Sequence, residues 1–200
     1  MNSEATRTSL PTPSRAFVFH GYGATPTDHW FGWLANEFEA AAIHTRVPVL
    51  PHPLEPDAKL WEETVGTTVG VPDEHTVVVA HSLGCLAVLR YLASLQGPWH
   101  LGMLVLVSGF VDRLPVLPAL DQFIQDGCDV SGIAEHIDRI VIIRSDDDPL
   151  VPPAITDRLA GLLGVSARVI AGAGHFLADD GVTALPHARD AVLAHMGTSR

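Results

Sequence analysis

The chain has 200 residues, 47% of them hydrophobic, which suffices for one domain with a single substantial core. Its formal charge is −11, Lys59 is its single lysine, and its arginines are scattered, so no basic stripe exists to meet a nucleic-acid backbone or an anionic membrane surface. Cys85 and Cys128 form no disulfide framework, and no apolar run approaches the length of a membrane span.

Residues 1–15 (MNSEATRTSLPTPSR) lack the apolar run of a secretory signal and read as a flexible polar tail. The expectation is therefore a soluble, cytoplasmic protein with one domain over residues 16–198. Short apolar runs follow at Ala16–His20, Arg46–Leu50, Thr76–Ala80, Leu101–Ser108, Arg139–Ser145 and Ala167–Ala171. They are rich in Val and Ile and do not alternate, which predicts strands covered on both faces. Helical patterns lie between them at Asp28–Ala41, Asp57–Val69, Leu83–Leu95, Pro153–Leu163 and Gly181–Met196, with Asp28, Asp57 and Pro153 near their starts. Strand–helix alternation of this kind predicts an α/β fold with a mainly parallel sheet of about six strands and helices on both faces. Residues 110–138 break the rhythm. They carry Leu114, Val116, Leu117, Leu120 and Phe123 but no strand, which suits a short helical cap over a site or a helix packed on the core.

Ala80-His81-Ser82-Leu83-Gly84 stands where a buried strand passes into a helix. A tight turn there lifts a serine Oγ above the sheet, and the helix N-terminus offers backbone N–H groups to a developing oxyanion. Small residues two before and two after the serine let the turn close; Ala80 stands where glycine is commoner. The similar Gly66-Thr67-Thr68-Val69-Gly70 lies at the end of a helical pattern and reads as a helix terminus. His175, in the glycine-bracketed loop Gly172-Ala173-Gly174-His175-Phe176 after a strand, is the candidate base. His81, beside the nucleophile, reads as structural. Asp146-Asp147-Asp148 follows another strand end, and Pro149 defines the backbone after Asp148. The order Ser82, Asp148, His175 is the one used by α/β-hydrolases. His20-Gly21-Tyr22-Gly23 follows the first strand and can aim the Tyr22 amide at the site, paired with that of Leu83. Asp146 and Asp148 also show an Asp-x-Asp spacing that a metal-dependent phosphatase could use, but that reading leaves Ser82, His175 and HGYG unexplained.

These residues resemble the small serine-hydrolase family within the α/β-hydrolases that includes retinoblastoma-binding protein 9 and bacterial YdeN-type proteins. The resemblance rests on HGYGATPTDHWFGWL (20–34), AHSLGC (80–85), VSGFVDRLP (107–115), DDDPLVP (146–152) and GHFLADDG (174–181). It implies Ser82 as nucleophile, the aspartate before Pro149 (Asp148) as acid, and the histidine of Gly-His-Phe (His175) as base. Substrate-pocket candidates are His20, Trp30, Trp33, Leu114, Leu117 and Phe176, with Trp30 and Trp33 equally able to pack on the sheet. Cys85 reads as a buried small hydrophobe. The expected function is hydrolysis of a small ester, or of an amide or aminoacyl bond, through an acyl-enzyme and with no metal or cofactor. The alternative is a catalytically weak protein of the same fold acting as a protein-binding module.

Overall fold

The computed structural model describes residues 12–197. The elements are β1 (Arg15–Phe19), α1 (Phe31–Ala40), β2 (His44–Arg46), α2 (Ala58–Val69), β3 (Thr76–His81), α3 (Leu83–Ser94), β4 (Leu101–Val107), α4 (Asp121–Ile124), β5 (Ile137–Ser145), α5 (Pro153–Leu162), β6 (Ala167–Ile170) and α6 (Pro186–Gly197). The six strands form one sheet in the order β2-β1-β3-β4-β5-β6, and each pairing is parallel. This is the parallel α/β arrangement expected from the alternation, in the compact α/β-hydrolase form that the resemblance implies.

Both faces of the sheet are covered, which is why its strands read as unbroken apolar runs. Phe17, Phe19, Val78, Ala80, Leu104 and Leu106 pack against Trp61 and Val65 of α2, Leu86 and Leu89 of α3, and Leu159 of α5. The alternate residues Ala16, Val18, Val77, Val79, Val105 and Val107 face Phe31, Leu34 and Phe38 of α1 and Ala188 and Val192 of α6. Two edges differ from the sequence expectation. The run Arg46–Leu50 is not a buried strand: β2 ends at Arg46, ahead of Pro48, which has no N–H for the ladder. At the other edge β6 is paired on one side, by β5, and none of its residues is buried: Arg168 and Val169 are exposed, Ala167 and Ile170 half-buried.

Helix starts follow local chemistry closely. Asp57 Oδ1 accepts the Leu60 N–H at 2.8 Å, and Pro153 occupies the first turn of α5. Asp28 instead accepts the Thr25 amide and hydroxyl, so α1 begins three residues later at Phe31. Gly181, at φ 82°, and Pro186 move the start of α6 from the expected 181 to 186. The Gly66–Gly70 segment ends α2, as its position suggested, with Gly70 as the C-cap. Of the expected tail, residues 1–11 lie outside the described residues. Ser14 donates to the His75 carbonyl at 2.9 Å, and Arg15 already belongs to β1.

The chain runs β1–β2 to one side and then crosses back to β3 on the other side of β1. That reversal places a crevice at the C-terminal ends of β1 and β3, the usual location of a site in an open parallel sheet. Over it lies the segment between β4 and β5. It buries Leu114, Leu120, Phe123, Ile124, Val130 and Ile133 against the α2–α3 side of the core. Arg90 of α3 clamps it: the guanidinium donates to the carbonyls of Phe123 (2.9 Å), Ile124 (2.6 Å) and Gly127 (3.1 and 3.3 Å) and lies over the Phe123 ring. Removing one partner from several charge-assisted bonds strands the buried carbonyls. Arg90→Met should therefore cost about 2–4 kcal/mol, a drop of roughly 5–10 °C in Tm. Amide hydrogen exchange should rise over residues 118–127 and stay slow in β3 and β4. Unchanged exchange over 118–127 would show that apolar packing alone holds the cap.

Candidate active site

Ser82 sits between β3 and α3 with φ 53° and ψ −124°, a conformation that L-residues avoid and that costs on the order of 1–3 kcal/mol. Three contacts enforce it. The Ser82 N–H donates to the Val107 carbonyl at the end of β4 (2.9 Å). Gly84 presses α3 onto β1 so closely that a Cβ there would stand 2.3 Å from the His20 carbonyl oxygen. Gly21 brings the β1–α1 loop against the serine, where a Cβ would meet the Ser82 Cβ at 2.9 Å. The small residue two after the serine is thus a packing requirement of the turn.

A continuous chain of hydrogen bonds runs from this serine. His175 Nε2 lies 2.9 Å from Ser82 Oγ, and His175 Nδ1 lies 2.8 and 3.0 Å from the carboxylate oxygens of Asp148. A carboxylate only accepts, so Nδ1 carries the proton and the neutral ring presents bare Nε2 to the serine O–H. All three side chains are buried, so the structure brings together the three residues singled out in the sequence.

The carboxylate of Asp148 is fully engaged. Oδ1 accepts the amides of Leu150 and Val151, each at 2.9 Å, and Oδ2 accepts the Ser108 hydroxyl at 2.7 Å. Burial by itself would raise its pKa. The bonds from His175, Val151 and Ser108 outweigh that and hold it below the ordinary aspartate value. Asp146 and Asp147 are exposed, yet neither is idle. Asp146 accepts the Gly172 amide (2.8 Å) and Asp147 the Gly174 amide (2.9 Å), so both fasten the loop that carries His175. Asp180 completes the fastening by accepting the amides of His175 (2.8 Å) and Leu177 (3.0 Å).

Ser108 and Asp180 escaped the sequence reading, whereas Asp146 and Asp147 are exposed and hold loop amides, in keeping with the expectation that the neighbours of Asp148 sit in solvent or cap the loop. Asp180 lies inside the GHFLADDG segment that was noted for its histidine alone, and a carboxylate five residues past a glycine-bracketed histidine was the available signal. Nothing local marks Ser108, whose partner is 40 residues away.

The pocket candidates separate. Leu117 lines a small chamber of about 70 Å³ at Ser82 and His175, together with Ala24, Leu120, Leu150 and Leu177. Tyr22 and His29 also line it. The other five stand elsewhere. Trp30 is buried behind the site against Phe31 and His81 (ring centroids 4.7 and 5.8 Å), and Trp33 lies under the Arg189 guanidinium at the α1–α6 contact. Leu114 and Phe176 belong to the two core layers. His20 Nε2 accepts the Leu50 amide at 3.0 Å, which leaves the proton on Nδ1 to bond the Gly21 carbonyl at 2.9 Å; it is a strut between loops. Nearness in sequence to the elbow and loops does not fix side-chain direction, and that direction turns these five away from the chamber. Cys85 is buried as expected, and burial pushes its thiol pKa far up, so it holds no thiolate.

His81 is structural, as its position on the elbow implied. Its Nε2–H donates to the His175 carbonyl at 2.9 Å, while Nδ1 is buried without a hydrogen-bond partner. Burial, followed by the neighbouring His175 ring, holds its pKa well below the histidine range. The unfolded imidazole, with a pKa near ~6.5, binds a proton below that pH while the folded one does not, so folding stability falls as pH falls. One such group contributes at most about 1.4 kcal/mol per pH unit. His81→Gln keeps a donor and removes the titration. In urea unfolding from pH 7 to pH 5 it should lose stability less steeply than the parent protein; parallel slopes would mean that His81 takes up a proton inside the fold.

The sequence pattern of the serine hydrolase family matches residues 16–194. The chain is 37% identical over 181 residues to the hydrolase YdeN of Bacillus subtilis (strain 168), covering 90% of this chain and 95% of that one. It is 23% identical over 171 residues to the serine hydrolase RBBP9 of Rattus norvegicus, covering 84% and 89%. The crystal structure of the B. subtilis ydeN product superposes with a TM-score of 0.88 at 36% identity, over 92% of this chain and 99% of that one. Esterase PE8 shares the fold, with a TM-score of 0.59 at 20% identity over 94% of each chain. Pattern, identity and architecture coincide over nearly the whole described chain, and the protein belongs to the serine hydrolase family.

Proposed function

We propose that the protein hydrolyses small esters through a Ser82 acyl-enzyme. The observation that carries this is the unbroken, buried chain Ser82–His175–Asp148, with the hydroxyl already hydrogen-bonded to a bare imidazole nitrogen. As Ser82 Oγ attacks the carbonyl carbon, its proton passes to His175 Nε2. The imidazolium is stabilised by the ionised Asp148, and the tetrahedral oxyanion meets the backbone amides of Tyr22 and Leu83. Leu83 is the first residue of α3, where an N–H has no intrahelical acceptor, and Gly21 holds the Tyr22 turn against the serine. The proton then moves from Nε2 to the departing alkoxide, which leaves as alcohol. Water repeats the cycle: His175 takes its proton, hydroxide adds to the acyl carbon, and Ser82 is reprotonated as the carboxylic acid departs.

A chamber of about 70 Å³ bounded by Ala24 and four leucines favours short acyl groups, since ligand pockets for larger groups run to roughly 300 Å³ or more. A cytoplasmic location is consistent with this reading, and no described helix is long and apolar enough to cross a membrane.

Fluorophosphonate should label the protein at Ser82 only, and Ser82→Ala should abolish labelling and reduce p-nitrophenyl acetate turnover to the residual level of an oxyanion hole alone. A folded parent protein that takes no label would instead be a binding module with this fold.

The three aspartates make a sharper test. Asp148→Asn should cut kcat about 10⁴-fold with little change in KM, by presenting the wrong imidazole tautomer. Asp146→Asn and Asp147→Asn retain an oxygen acceptor for their loop amides and should lower kcat by less than about tenfold. Kinetics of the three variants side by side check the assignment, and it fails if Asp146 or Asp147 is the crippling position.

A further inference from the structure

The chamber at Ser82 does not stand alone. A second cavity of about 470 Å³ opens beside it, between the turn leading into α2 and the cap, and the two share Tyr22 and Leu120 as walls. An ester whose carbonyl carbon sits at Ser82 has two arms. One fits the 70 Å³ chamber, and the other can pass between Tyr22 and Leu120 into the larger space. The larger cavity lies within the range typical of sites for whole small molecules, whereas the chamber does not.

The chemistry of the two walls differs. Leucines dominate the chamber, while the groove presents Glu55, Asp57, Lys59, Gln122 and Gln125 beside the Tyr22 ring. Carboxylates outnumber ammonium groups there, two to one. The Asp57 carboxylate already caps α2, and the Lys59 ammonium lies 3.7 Å from Glu63 on its own helix. Glu55, by contrast, has no side-chain cation paired with it among the described residues. The remaining functional groups are two carboxamides, each both donor and acceptor, and a carboxylate that accepts. Interleaved donors and acceptors next to an exposed aromatic ring complement a ligand that itself carries many hydroxyls. The excess of carboxylate disfavours a phosphate, and the apolar walls Leu54, Pro56, Ala58 and Ala119 can pack against the C–H faces of such a ligand. The groove is also preformed, because Arg90 clamps the carbonyls of Phe123, Ile124 and Gly127 and so holds the cap wall that carries Gln122 and Gln125.

We propose that the alcohol half of the substrate is a neutral polyhydroxylated group of about monosaccharide size, bound in this groove while a short acyl group occupies the chamber. This rests on the esterase reading above and specifies its leaving group. A carboxylate or carboxamide that chelates hydroxyls across the groove would also orient the ester carbonyl over Ser82, so discrimination should show in kcat/KM.

The test uses the full chain with three substrates: p-nitrophenyl acetate, 6-O-acetylglucose and n-hexyl acetate. The sugar acetate should exceed the alkyl acetate in kcat/KM by tenfold or more. Glu55→Leu and Gln122→Leu should each lower the ratio of sugar acetate to p-nitrophenyl acetate turnover by about tenfold, with Glu55→Gln restoring part of it. Equal or better hydrolysis of the hexyl ester would overturn the inference, as would variants that lower all substrates alike. Turnover of p-nitrophenyl acetate without any turnover of the sugar ester sinks the inference and leaves the esterase reading standing. A protein inert toward every ester, and unlabelled by fluorophosphonate, removes both.

Discussion

The backbone of Ser82 is held in a left-handed conformation because its surroundings allow no relaxed one. Its amide is tied to Val107 of β4, and the glycines at 21 and 84 let the β1 loop and α3 approach from either side. The strain is small against the burial of β3 and α3, whose residues form the centre of both core layers. Relaxing the turn would require lifting α3 from β1, and that would open the core. Ser82 is therefore positioned by the same packing that stabilises the fold.

His175 is positioned by a different principle. The loop carrying His175 is anchored in the core by Ala173 and Phe176 and is oriented by carboxylates that accept its backbone amides: Asp146 at Gly172, Asp147 at Gly174, Asp180 at His175 and Leu177. Part of the chain's strong negative charge thus has a local function. Oriented acceptors satisfy a turn that has no secondary structure to do so. The imidazole between them sees Asp148 on one side and the serine on the other, with His81 beneath it bonded to its carbonyl. Removing solvent from this stack strengthens each bond and makes the unpartnered Nδ1 of His81 a standing reason for that ring to stay neutral.

The segment between β4 and β5 walls the space beside the serine. Leu117 and Leu120 close the chamber, and Gln122 and Gln125 face the groove, all within one nine-residue stretch. Arg90 makes that stretch a fixed wall by bonding to backbone carbonyls, which ties its position to α3 without engaging its side chains. The segment both fills the core and covers the site, so the two roles that its sequence suggested belong to one structure.

The sequence by itself determined the features that depend on near neighbours. Val- and Ile-rich runs without alternation marked the central strands, Asp57 and Pro153 marked helix starts, and the strand–turn–helix setting of Ser82 marked the elbow. Those signals work because caps, turns and side-chain periodicity act over at most about four residues. The order of Ser82, Asp148 and His175 was also readable, since each follows a strand and parallel strands deliver their ends to one edge. Only the tertiary structure decided which side chains meet there. Ser82 and His175 are 93 residues apart, and Ser108 and Asp148 are 40 apart, separations over which no periodicity carries information. It turned Trp30 and Trp33 into the α1 core and its α6 edge, made His20 a strut to Leu50, and gave Asp146 and Asp147 loop amides to hold. It also placed the polar groove beside the leucine-lined chamber. Each outcome depends on the direction in which a side chain leaves a folded backbone, and that direction is set by packing between distant elements.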